Sequence, residues 1–558
     1  MDFSASYLTE QIIAYIGNKR KLIPLIYKAI QSTGMEIKPG LKFFDVFAGS
    51  GVVSRFAKIL DFEVFSNDWE CYSYVLNSCY LGTDKSELAD LFGSEEALQN
   101  LLDEINSLPS PGEDLQYMAK YYAPKSFDID NVDYKTERLF YTRDNALAID
   151  KIRNYIEDAF PAEKIDETQL KKKNVLLAEL IYEVATHNNT SGVFKACHKG
   201  FGGHNKDALK RILTPIRLRM PVLIDSLHKC HVFQENANEI VKKIKDIDIA
   251  YLDPPYNQHQ YGSNYHILNT VAKWDHIPAE LELNTKGELK EKAAIRHDWV
   301  NTRSLYCYKE KATKSFEELI ANLDAKHILI SYSTDGIIPF EDMQRICIQK
   351  GSVSIVTNEY TTYRGGKQSN NRKNTNIEFI LCIDTSGTSS AEQIEMLNSI
   401  LFQKKCMLLF KQKFCEKKLR EVCSEIIDSD LCISLNDKKL LLHSDDFFEI
   451  EPPDDIASMS IEDLRVLYNL LLPCACNTKE EELEEIISKI NGNAQKNVKF
   501  IKLIPATLKK LAHKKNKESF YKWADEIKKI AIKHEDLYEL IRPKIDAVID
   551  LAEVRFNS

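Results

Sequence analysis

The residues best suited to chemistry are an aspartate, two prolines and a tyrosine in direct succession, Asp253, Pro254, Pro255 and Tyr256. Because proline lacks an N–H, this turn leaves carbonyl oxygens free to point into a site. The Asp253 carboxylate and the Pro254 carbonyl can each accept one proton of an exocyclic amine, which leaves the nitrogen lone pair more available for attack. Tyr256 offers an aromatic face on which an extruded base can stack, at about 1–3 kcal/mol per base.

The position of this tetrad supports a catalytic role. It directly follows the apolar segment Ile247–Leu252, a predicted strand, and ligands of open α/β sheets bind at the carboxyl ends of strands. The alternative is an ordinary surface turn. Two further motifs at compatible positions favour the catalytic interpretation.

The second motif, Asp45–Gly51, follows another predicted strand and contains two glycines. Gly49 and Gly51 let the backbone pass close to a cofactor, and the N-terminus of the following helix adds a positive dipole. The motif lacks the Gly-Lys-Ser/Thr ending of a phosphate-binding loop, and a plain tight turn is the alternative. Further along, Asn67-Asp68 closes the next strand, where an acidic residue commonly binds ribose hydroxyls.

The elements that must position these motifs are predicted from apolar runs bounded by polar turns. The predicted strands are Leu41–Phe47, Glu63–Ser66, His231–Gln234, Ile247–Leu252, His327–Tyr332 and Ile377–Ile383. Between the second and the third, the pattern is mixed and mostly helical. The sequence therefore predicts an α/β domain from residues 1–69 and 231–387, with residues 70–230 inserted as a separate region.

A polar segment of small residues, 384–390, is typical of an interdomain linker and separates off a mainly α-helical domain, 388–558. Ser389 and Glu392 have the spacing of a capping box that opens a helix. Ser460 and Thr478 are predicted helix N-caps, and Gly492 a helix end. Lysines are frequent near the end of this domain, whose role the sequence leaves open between an accessory contact module and a solvated helical bundle.

Composition bounds the class of protein. Of the 558 residues, 44% are hydrophobic and 28% are charged, as in ordinary globular proteins, and the net charge of -9 gives no sign of a nucleic-acid binder. No apolar run approaches the roughly 20 residues of a membrane span, and the first residues do not resemble a secretory signal. The 13 cysteines are scattered, so we expect reduced thiols, a cytoplasmic protein and no metal site.

Three motifs together resemble the Dam-like, class-alpha DNA N6-adenine methyltransferases. The opening motif of that family is matched by Tyr15–Leu22, its methionine-binding loop by Phe44–Gly51 and its catalytic tetrad by Asp253–Tyr256. The order of the motifs is also kept, and the resemblance covers roughly residues 10–383. Two departures are Asn18, where a second glycine is usual, and Asn236, where an acidic residue is usual.

The resemblance implies a Rossmann-like, S-adenosyl-L-methionine-dependent methyltransferase domain with a mostly helical target-recognition insertion, followed by the helical C-terminal domain. It implies that Asp45, Gly49 and Gly51 line the methionine part of the cofactor, and that Asp68 contacts its ribose and Asn236 its adenine. The full predicted cofactor set is Tyr15, Lys19, Asp45, Phe47, Gly49, Gly51, Asp68, Asn236 and Asp253. The resemblance places Lys19 between the cofactor and the target base. The alternative is that Lys19 is an ordinary solvated residue at the surface.

Two basic stretches and the segment after the tetrad are candidates for contacting DNA. The first stretch contains Lys195 to Arg211, and the second contains Arg364 and Lys367. They combine cations for phosphate with glycines and aromatic side chains. The predicted DNA-binding residues are Lys195, His198, Lys199, Lys206, Arg211, Tyr261, Asn264, Arg364 and Lys367. The alternative for the first stretch is a solvated helix face and for the second an exposed hairpin.

Three functions were weighed. The favoured one is an adenine-N6 methyltransferase of double-stranded DNA from a bacterial restriction-modification or defence system, with a cognate endonuclease or defence subunit as partner and no metal required. An RNA base methyltransferase is the second, although such enzymes usually lack the opening motif and the large insertion. A non-catalytic DNA-binding subunit is the third, and the intact tetrad argues against it.

Overall fold

The computed structural model describes residues 3–161, 165–203, 206–333, 336–357, 378–423, 425–427, 430–435, 438–492 and 497–557. Contacts divide these residues into two compact units. The first comprises the described residues up to 357 together with 378–390, and the second begins at Ala391. Each unit is described by itself below.

The first unit is built on a seven-stranded sheet. Its strands are β1 (Lys42–Asp45), β2 (Glu63–Asn67), β3 (Cys230–Phe233), β4 (Ile247–Leu252), β5 (Ala325–Ser333), β6 (Ser352–Thr357) and β7 (Glu378–Asp384). They lie in the order β3-β2-β1-β4-β5-β7-β6, and all neighbours are parallel except those of β7, which is antiparallel to both β5 and β6. The strand order reverses direction between β1 and β4, and such a switch point opens a crevice at the carboxyl ends of the two strands.

Helices flank this sheet. They are α1 (Ser6–Thr9), α2 (Ile23–Ser32), α3 (Val52–Ile59), α4 (Cys71–Tyr80), α5 (Glu87–Phe92), α6 (Glu95–Ser107), α7 (Met118–Tyr121), α8 (Arg143–Ala159), α9 (Glu167–Thr186), α10 (Leu209–Leu213), α11 (Ala237–Lys243), α12 (Tyr261–Asn264), α13 (His266–Lys273), α14 (Lys309–Asn322) and α15 (Phe340–Lys350). On one face, α2 and α3 bury apolar residues such as Ile26 and Phe56 against Phe43 of β1. Such near-continuous apolar strands are expected in a sheet covered on both faces.

The helices from α4 to α10 confirm the mostly helical character predicted for residues 70–230. Their core is shared with residues that come after the tetrad, because Tyr265, Leu268 and Val271 pack in the same cluster as Tyr72 and Ile181. The helical layer thus continues through α13 and extends beyond the predicted bounds of the insertion.

The second unit contains α16 (Ala391–Leu409), α17 (Glu416–Val422), α18 (Ile461–Leu471), α19 (Lys479–Gly492), α20 (Asn497–Ile501), α21 (Ile504–Leu511), α22 (Lys517–Lys533), α23 (Glu535–Glu539) and α24 (Arg542–Asn557). The hydroxyls of Ser460 and Thr478 each accept a hydrogen bond from the N–H three residues later, so these two predicted helix N-caps are confirmed. Helix α19 reaches Gly492, and the next residues lie outside the described part of the chain, so the helix end predicted there stays a prediction. The unit also contains a three-stranded antiparallel sheet that the sequence analysis did not predict: β8 (Glu425–Ile427), β9 (Asp430–Leu435) and β10 (Lys438–His443).

Two local predictions need correction. The Ser389 hydroxyl accepts a hydrogen bond from the Val353 N–H at the start of β6, and α16 begins two residues later, so Ser389 serves the sheet instead of capping a helix. Strand β6 was missed, although Ser352–Thr357 has the β-branched residues and partial alternation that are typical of a half-buried edge strand.

Candidate active site

A pocket opens at the switch point between β1 and β4. It is lined by the turn after β4, the loop after β1, the residues that follow β2 and β3, and the segment Tyr15–Lys19. Four carboxyl ends of parallel strands therefore converge on one cavity, where the sheet topology predicts ligand binding.

Asp253 stands at the centre of this pocket. Its Oδ1 atom lies 2.9 Å from Nζ of Lys19, and the two side chains are only 16% and 6% exposed. Burial raises the pKa of the Asp253 carboxyl to about 6, and the adjacent ammonium of Lys19 limits that rise. A carboxylate held beside a cation in this way is an acceptor that stays ionised near neutral pH.

The position of Lys19 is set by the residue before it. Asn18 caps the short 3₁₀ helix Lys19–Leu22, because its Oδ1 accepts from the Arg20 N–H at 2.8 Å and its Nδ2 donates to the Ile13 carbonyl at 3.2 Å. Burial is the largest single influence on the Lys19 ammonium and lowers its pKa, but Asp253, Tyr256 and Glu378 together outweigh burial, so the net pKa is raised. Lys19 is thus a buried, charged lysine, and the surface alternative for it is wrong.

Tyr256 extends the tetrad into the pocket. Nζ of Lys19 lies 5.3 Å from the centre of the Tyr256 ring, and Tyr332 packs edge-on against that ring at a centroid distance of 5.9 Å. The Tyr256 carbonyl accepts a hydrogen bond from the Ile337 N–H at 3.1 Å. Gly17 faces the same space, since a Cβ there would be 3.6 Å from the Tyr256 hydroxyl. The ring is therefore held in one orientation at the pocket wall.

The loop after β1 places a buried carboxylate against the pocket. Asp45 Oδ2 accepts from the Ser54 hydroxyl at 2.7 Å, whereas Oδ1 has no hydrogen-bond partner among the described residues. Burial raises the pKa of Asp45 to about 7, and the Ser54 hydrogen bond opposes that rise. A buried oxygen without a donor is costly in an empty site, so this carboxylate is suited to a positively charged or N–H-bearing ligand.

Gly49 brings the backbone close to an aromatic ring. Its φ is +53°, and a Cβ there would lie 2.8 Å from Cε1 of Tyr15. Gly51, with φ +77°, does not line the pocket, and a Cβ there would meet Oδ1 of Asn77 at 2.2 Å. Gly51 therefore permits close packing at the start of α3, whereas Gly49 shapes the pocket itself.

Asp68 links two parts of the pocket. Its Oδ2 accepts from the Gly49 N–H at 2.8 Å and its Oδ1 from the Glu70 N–H at 2.9 Å. Burial raises the pKa of Asp68, and these backbone donors counteract the rise. Each carboxylate oxygen has a second lone pair, so Asp68 can still accept from a ligand hydroxyl.

The far wall of the pocket is aromatic and amidic. Phe47 packs edge-on against Tyr306 at 5.4 Å, and the Tyr306 hydroxyl donates to Oδ1 of Asn238 at 2.8 Å. Asn236 caps α11 by accepting from the Asn238 N–H at 2.8 Å. A flat, weakly polar wall of this kind is suited to an aromatic heterocycle.

A cluster of stacked tyrosines borders the pocket, which Tyr15 and Tyr261 line. The ring of Tyr15 stacks on Tyr261 at 5.1 Å and on Tyr265 at 4.8 Å, and its hydroxyl accepts from the Tyr72 hydroxyl at 3.1 Å. These contacts join the opening segment of the chain to α12 and to the residue that follows it.

Glu70 is a pocket residue that the sequence analysis missed. It is buried, and its Oε2 accepts from Nδ2 of Asn269 at 2.6 Å. Burial raises the pKa of Glu70 to about 7, and the Asn269 hydrogen bond lowers it. Its position two residues after Asp68 was the available signal, but burial of a glutamate at the start of a helix cannot be deduced from spacing.

S-adenosylmethionine carries an ammonium, a sulfonium and a ribosyl adenine. The pocket offers a chemically matching set of groups: the unpartnered Asp45 oxygen, the carboxylates of Asp68 and Glu70, the close backbone approach at Gly49 and the Phe47–Tyr306 wall. The residues present therefore fit the cofactor that the sequence predicts.

Comparison with known proteins decides the family. Residues 15–327 match the D12 class N6 adenine-specific DNA methyltransferases. The chain belongs to this family. It is 32% identical over 366 residues to the type II methyltransferase M.NlaIII of Neisseria lactamica, an alignment that covers 65% of this chain and 96% of that protein.

Two further relatives extend the comparison. The chain is 30% identical to the type II methyltransferase M.CviAII of Paramecium bursaria Chlorella virus 1, over 63% of this chain and 93% of the relative. It is 31% identical to the modification methylase LlaI of Lactococcus lactis subsp. lactis, over 62% of this chain and 51% of the relative. The predicted family and Rossmann-like fold of this methyltransferase are thereby confirmed.

The methyltransferase pocket brings together eight of the nine predicted cofactor residues. These are Tyr15, Lys19, Asp45, Phe47, Gly49, Asp68, Asn236 and Asp253, and Gly51 is the exception. Pro254, Pro255 and Tyr256, which are predicted to be catalytic, line the same pocket. Their individual roles remain predictions.

The residues predicted to contact DNA are not brought together in the same way. Lys195, Lys199 and Lys206 are exposed and His198 is half-buried, although Lys206 pairs with Asp130 at 3.8 Å. Tyr261 lines the pocket. The residues Arg364 and Lys367 lie outside the described part of the chain.

Two of the DNA predictions need revision because of side-chain surroundings. Asn264 is only 2% exposed, and its carbonyl accepts from the Phe194 N–H, so burial excludes a direct contact of its side chain with DNA. Arg211 is half-buried, its guanidinium donates to the Thr186 carbonyl, and burial lowers its pKa. A structural role for Arg211 is the simpler interpretation.

None of the helices among the described residues is both long and apolar enough to cross a membrane. None of the histidine, cysteine, aspartate and glutamate side chains of the described residues forms a group of three or more that could hold a metal ion.

Proposed function

We propose that this protein transfers a methyl group from S-adenosyl-L-methionine to N6 of an adenine flipped out of double-stranded DNA. The observation that carries the proposal is the convergence of the Asp253–Tyr256 turn and the Asp45–Gly49 loop on one pocket, with Lys19 bound to Asp253. When bound, the cofactor supplies the methyl group. The residues of the chain orient the target amine and the cofactor, and they supply the negative charge that accepts the amine protons.

Asp253 acts on the target amine. Its carboxylate accepts one amine proton and the Pro254 carbonyl accepts the other, which turns the nitrogen lone pair out of conjugation with the ring. Because the pKa of Asp253 is about 6, the same carboxylate can take up the proton that the methylated amine releases and pass it to water. Lys19 holds the carboxylate in place and in its charged form.

Tyr256 provides the surface for the flipped base. Stacking on its ring, worth about 1–3 kcal/mol, offsets part of the few kcal/mol that extrusion from the duplex costs. Asp45, Asp68 and the Phe47–Tyr306 wall hold the cofactor on the opposite side, by its ammonium, ribose and adenine respectively. Asn236, at the same wall, contacts the adenine.

The helical region 70–230 is proposed to recognise the target sequence, with Lys195, His198, Lys199 and Lys206 on phosphates. The relatives named type II methyltransferases support a place in a restriction-modification system with a cognate endonuclease. Membership of a DNA-specific family favours duplex DNA over RNA as the acceptor.

The test is incubation with unmethylated genomic DNA and methyl-labelled cofactor, followed by nucleoside mass spectrometry beside an RNA control. We expect N6-methyladenine in the DNA alone, and its absence with Asp253→Ala. Label in RNA instead of DNA would contradict the proposed substrate, and methylcytosine in DNA would contradict the proposed target atom.

A further inference from the structure

The second unit carries a concentrated positive surface. From Lys509 to Lys517 the chain has five lysines in nine residues and no acidic residue. We define the lysine surface as the exposed residues Lys502, Lys509, Lys514, Lys515 and Lys517. Lys509 lies in the last turn of α21, Lys514 and Lys515 lie in the 3₁₀ turn Lys514–Asn516, and Lys517 begins α22, whereas Lys502 precedes α21.

The backbone that carries the lysine surface is fixed by apolar packing and by hydrogen bonds. Leu508, Leu511 and Phe520 are at most 2% exposed and pack in one core, so the lysines between them are forced outward. The turn itself is tied down, since Nη1 of Arg555 donates to the Ala512 carbonyl at 3.0 Å and the Asn516 N–H donates to the His513 carbonyl at 2.8 Å. The charges are therefore presented on a defined shape.

Four of the five members of the lysine surface lie within nine residues of one another, and all five lack carboxylate partners among the described residues. Within the described residues, none of its five members forms a salt bridge. Other lysines of the unit do, in the pairs Lys439–Glu425, Lys489–Glu416, Lys499–Asp446, Lys528–Asp525 and Lys529–Glu526.

The positive charges of most of these lysines do not stabilise the local fold. Lys514, Lys515 and Lys517 precede or open α22, where the helix dipole disfavours cations. Their mutual repulsion within a few residues adds to that cost. A run of unpaired cations that the fold does not need is typical of a surface that neutralises an external polyanion.

We infer that the lysine surface binds the phosphate backbone of double-stranded DNA without regard to sequence. Lysine ammonium groups recognise phosphate as point charges, and release of condensed counterions supplies the affinity. The inference deepens the proposed function, because it assigns to the second unit a role in holding the substrate duplex. It rests on that function for the identity of the polyanion.

The experiment uses the full chain and a short duplex built only of G·C pairs, which contains no adenine to flip or methylate. The dissociation constant is measured over a series of potassium chloride concentrations for the wild type and for K509Q/K514Q/K515Q. We expect the slope of log affinity against log salt to become flatter by about 2 to 3, since each lost phosphate contact removes about 0.9.

The matched control is K439Q/K528Q/K529Q, which removes the same charge from exposed, ion-paired lysines of the same unit. It should leave the slope unchanged, and K509R/K514R/K515R should retain the wild-type slope. Equal salt slopes for the glutamine variant, its control and the wild type would overturn the inference and leave an acidic protein as the partner to seek.

The two proposals fail separately. Methyl transfer by the wild type to genomic DNA, together with equal slopes, refutes the lysine surface and leaves the proposed function intact. A flatter slope for the lysine-surface variant, with no methyl transfer by the wild type, supports DNA binding by this surface and refutes the proposed enzyme activity.

Discussion

Lys19 and Asp253, which are far apart in sequence, meet in the pocket of the methyltransferase unit with Nζ 2.9 Å from Oδ1. Burial alone would push the pKa of Asp253 further upward. The buried ammonium of Lys19 limits the rise to a pKa of about 6. A lysine of the opening motif therefore favours the ionised form of the carboxylate that is predicted to be catalytic.

The first prediction concerns pH. Asp253 is protonated below its pKa and can then no longer accept both from Lys19 and from the target amine, so kcat/KM should fall as the pH drops through about 6. In Lys19→Met the lowering influence of the ammonium is gone, and the acid limb should move to higher pH. A pH profile of kcat/KM measures this.

The control for that profile is Lys21→Met, which removes an exposed lysine from the same 3₁₀ helix. Its acid limb should coincide with that of the wild type. If the acid limb of Lys19→Met lies at the same pH as that of the wild type, Lys19 does not lower the pKa of Asp253.

The second prediction separates chemistry from cofactor binding. Asp253→Ala should lower kcat by at least about 10²–10³-fold, the usual effect of removing one group that stabilises charge in a transition state, while cofactor affinity is kept. Asp68→Ala should instead weaken cofactor binding. Calorimetric titration of both variants with cofactor tests this division of roles between Asp253 and Asp68. Equal losses of cofactor affinity in the two variants would refute it.

The third prediction concerns stacking. Tyr256→Ala should reduce kcat/KM for DNA about 10- to 100-fold, because about 1–3 kcal/mol of base stacking is lost. Tyr256→Phe keeps the ring and its contact with Tyr332, so it should retain most of the activity. If kcat/KM of the phenylalanine variant falls as far as that of the alanine variant, the Tyr256 hydroxyl is the important group and the stacking proposal is contradicted.

The fourth prediction uses two glycines with similar backbone angles. Gly49→Ala should weaken cofactor binding at least about tenfold, because its Cβ would collide with Tyr15 and displace the pocket wall. Gly34 has φ +71° and nothing within 4 Å of a Cβ, so Gly34→Ala carries the backbone strain without the collision. Similar cofactor affinities for the two variants would show that the collision is unimportant.

The fifth prediction concerns stability without cofactor. The folded-state pKa of Asp45 is about 7, above its ordinary value of 3.8, so the folded protein binds more protons than the unfolded chain between these values. The contribution of Asp45 to the free energy of unfolding therefore declines as the pH rises from about 4 to 7. Asp45→Asn should reduce this decline in thermal melts, and an unchanged pH dependence would contradict the assignment.

Much of the fold follows from local sequence. The strands β1 to β5 and β7 were predicted within a few residues, because each contains apolar residues bounded by polar turns. The edge strand β6 was missed, and the sheet β8–β10 was missed because residues 388–558 were predicted to be mainly helical.

What the sequence by itself determined is the chemistry: the tetrad Asp253–Tyr256, the loop Asp45–Gly51 and the family to which they belong. Tertiary structure decided which side chains act on one another. It paired Lys19 with Asp253, added Glu70 to the pocket and withdrew Gly51 from it. Motifs are local in sequence, whereas burial and charge pairing depend on the strand order that brings distant segments to one edge of the sheet.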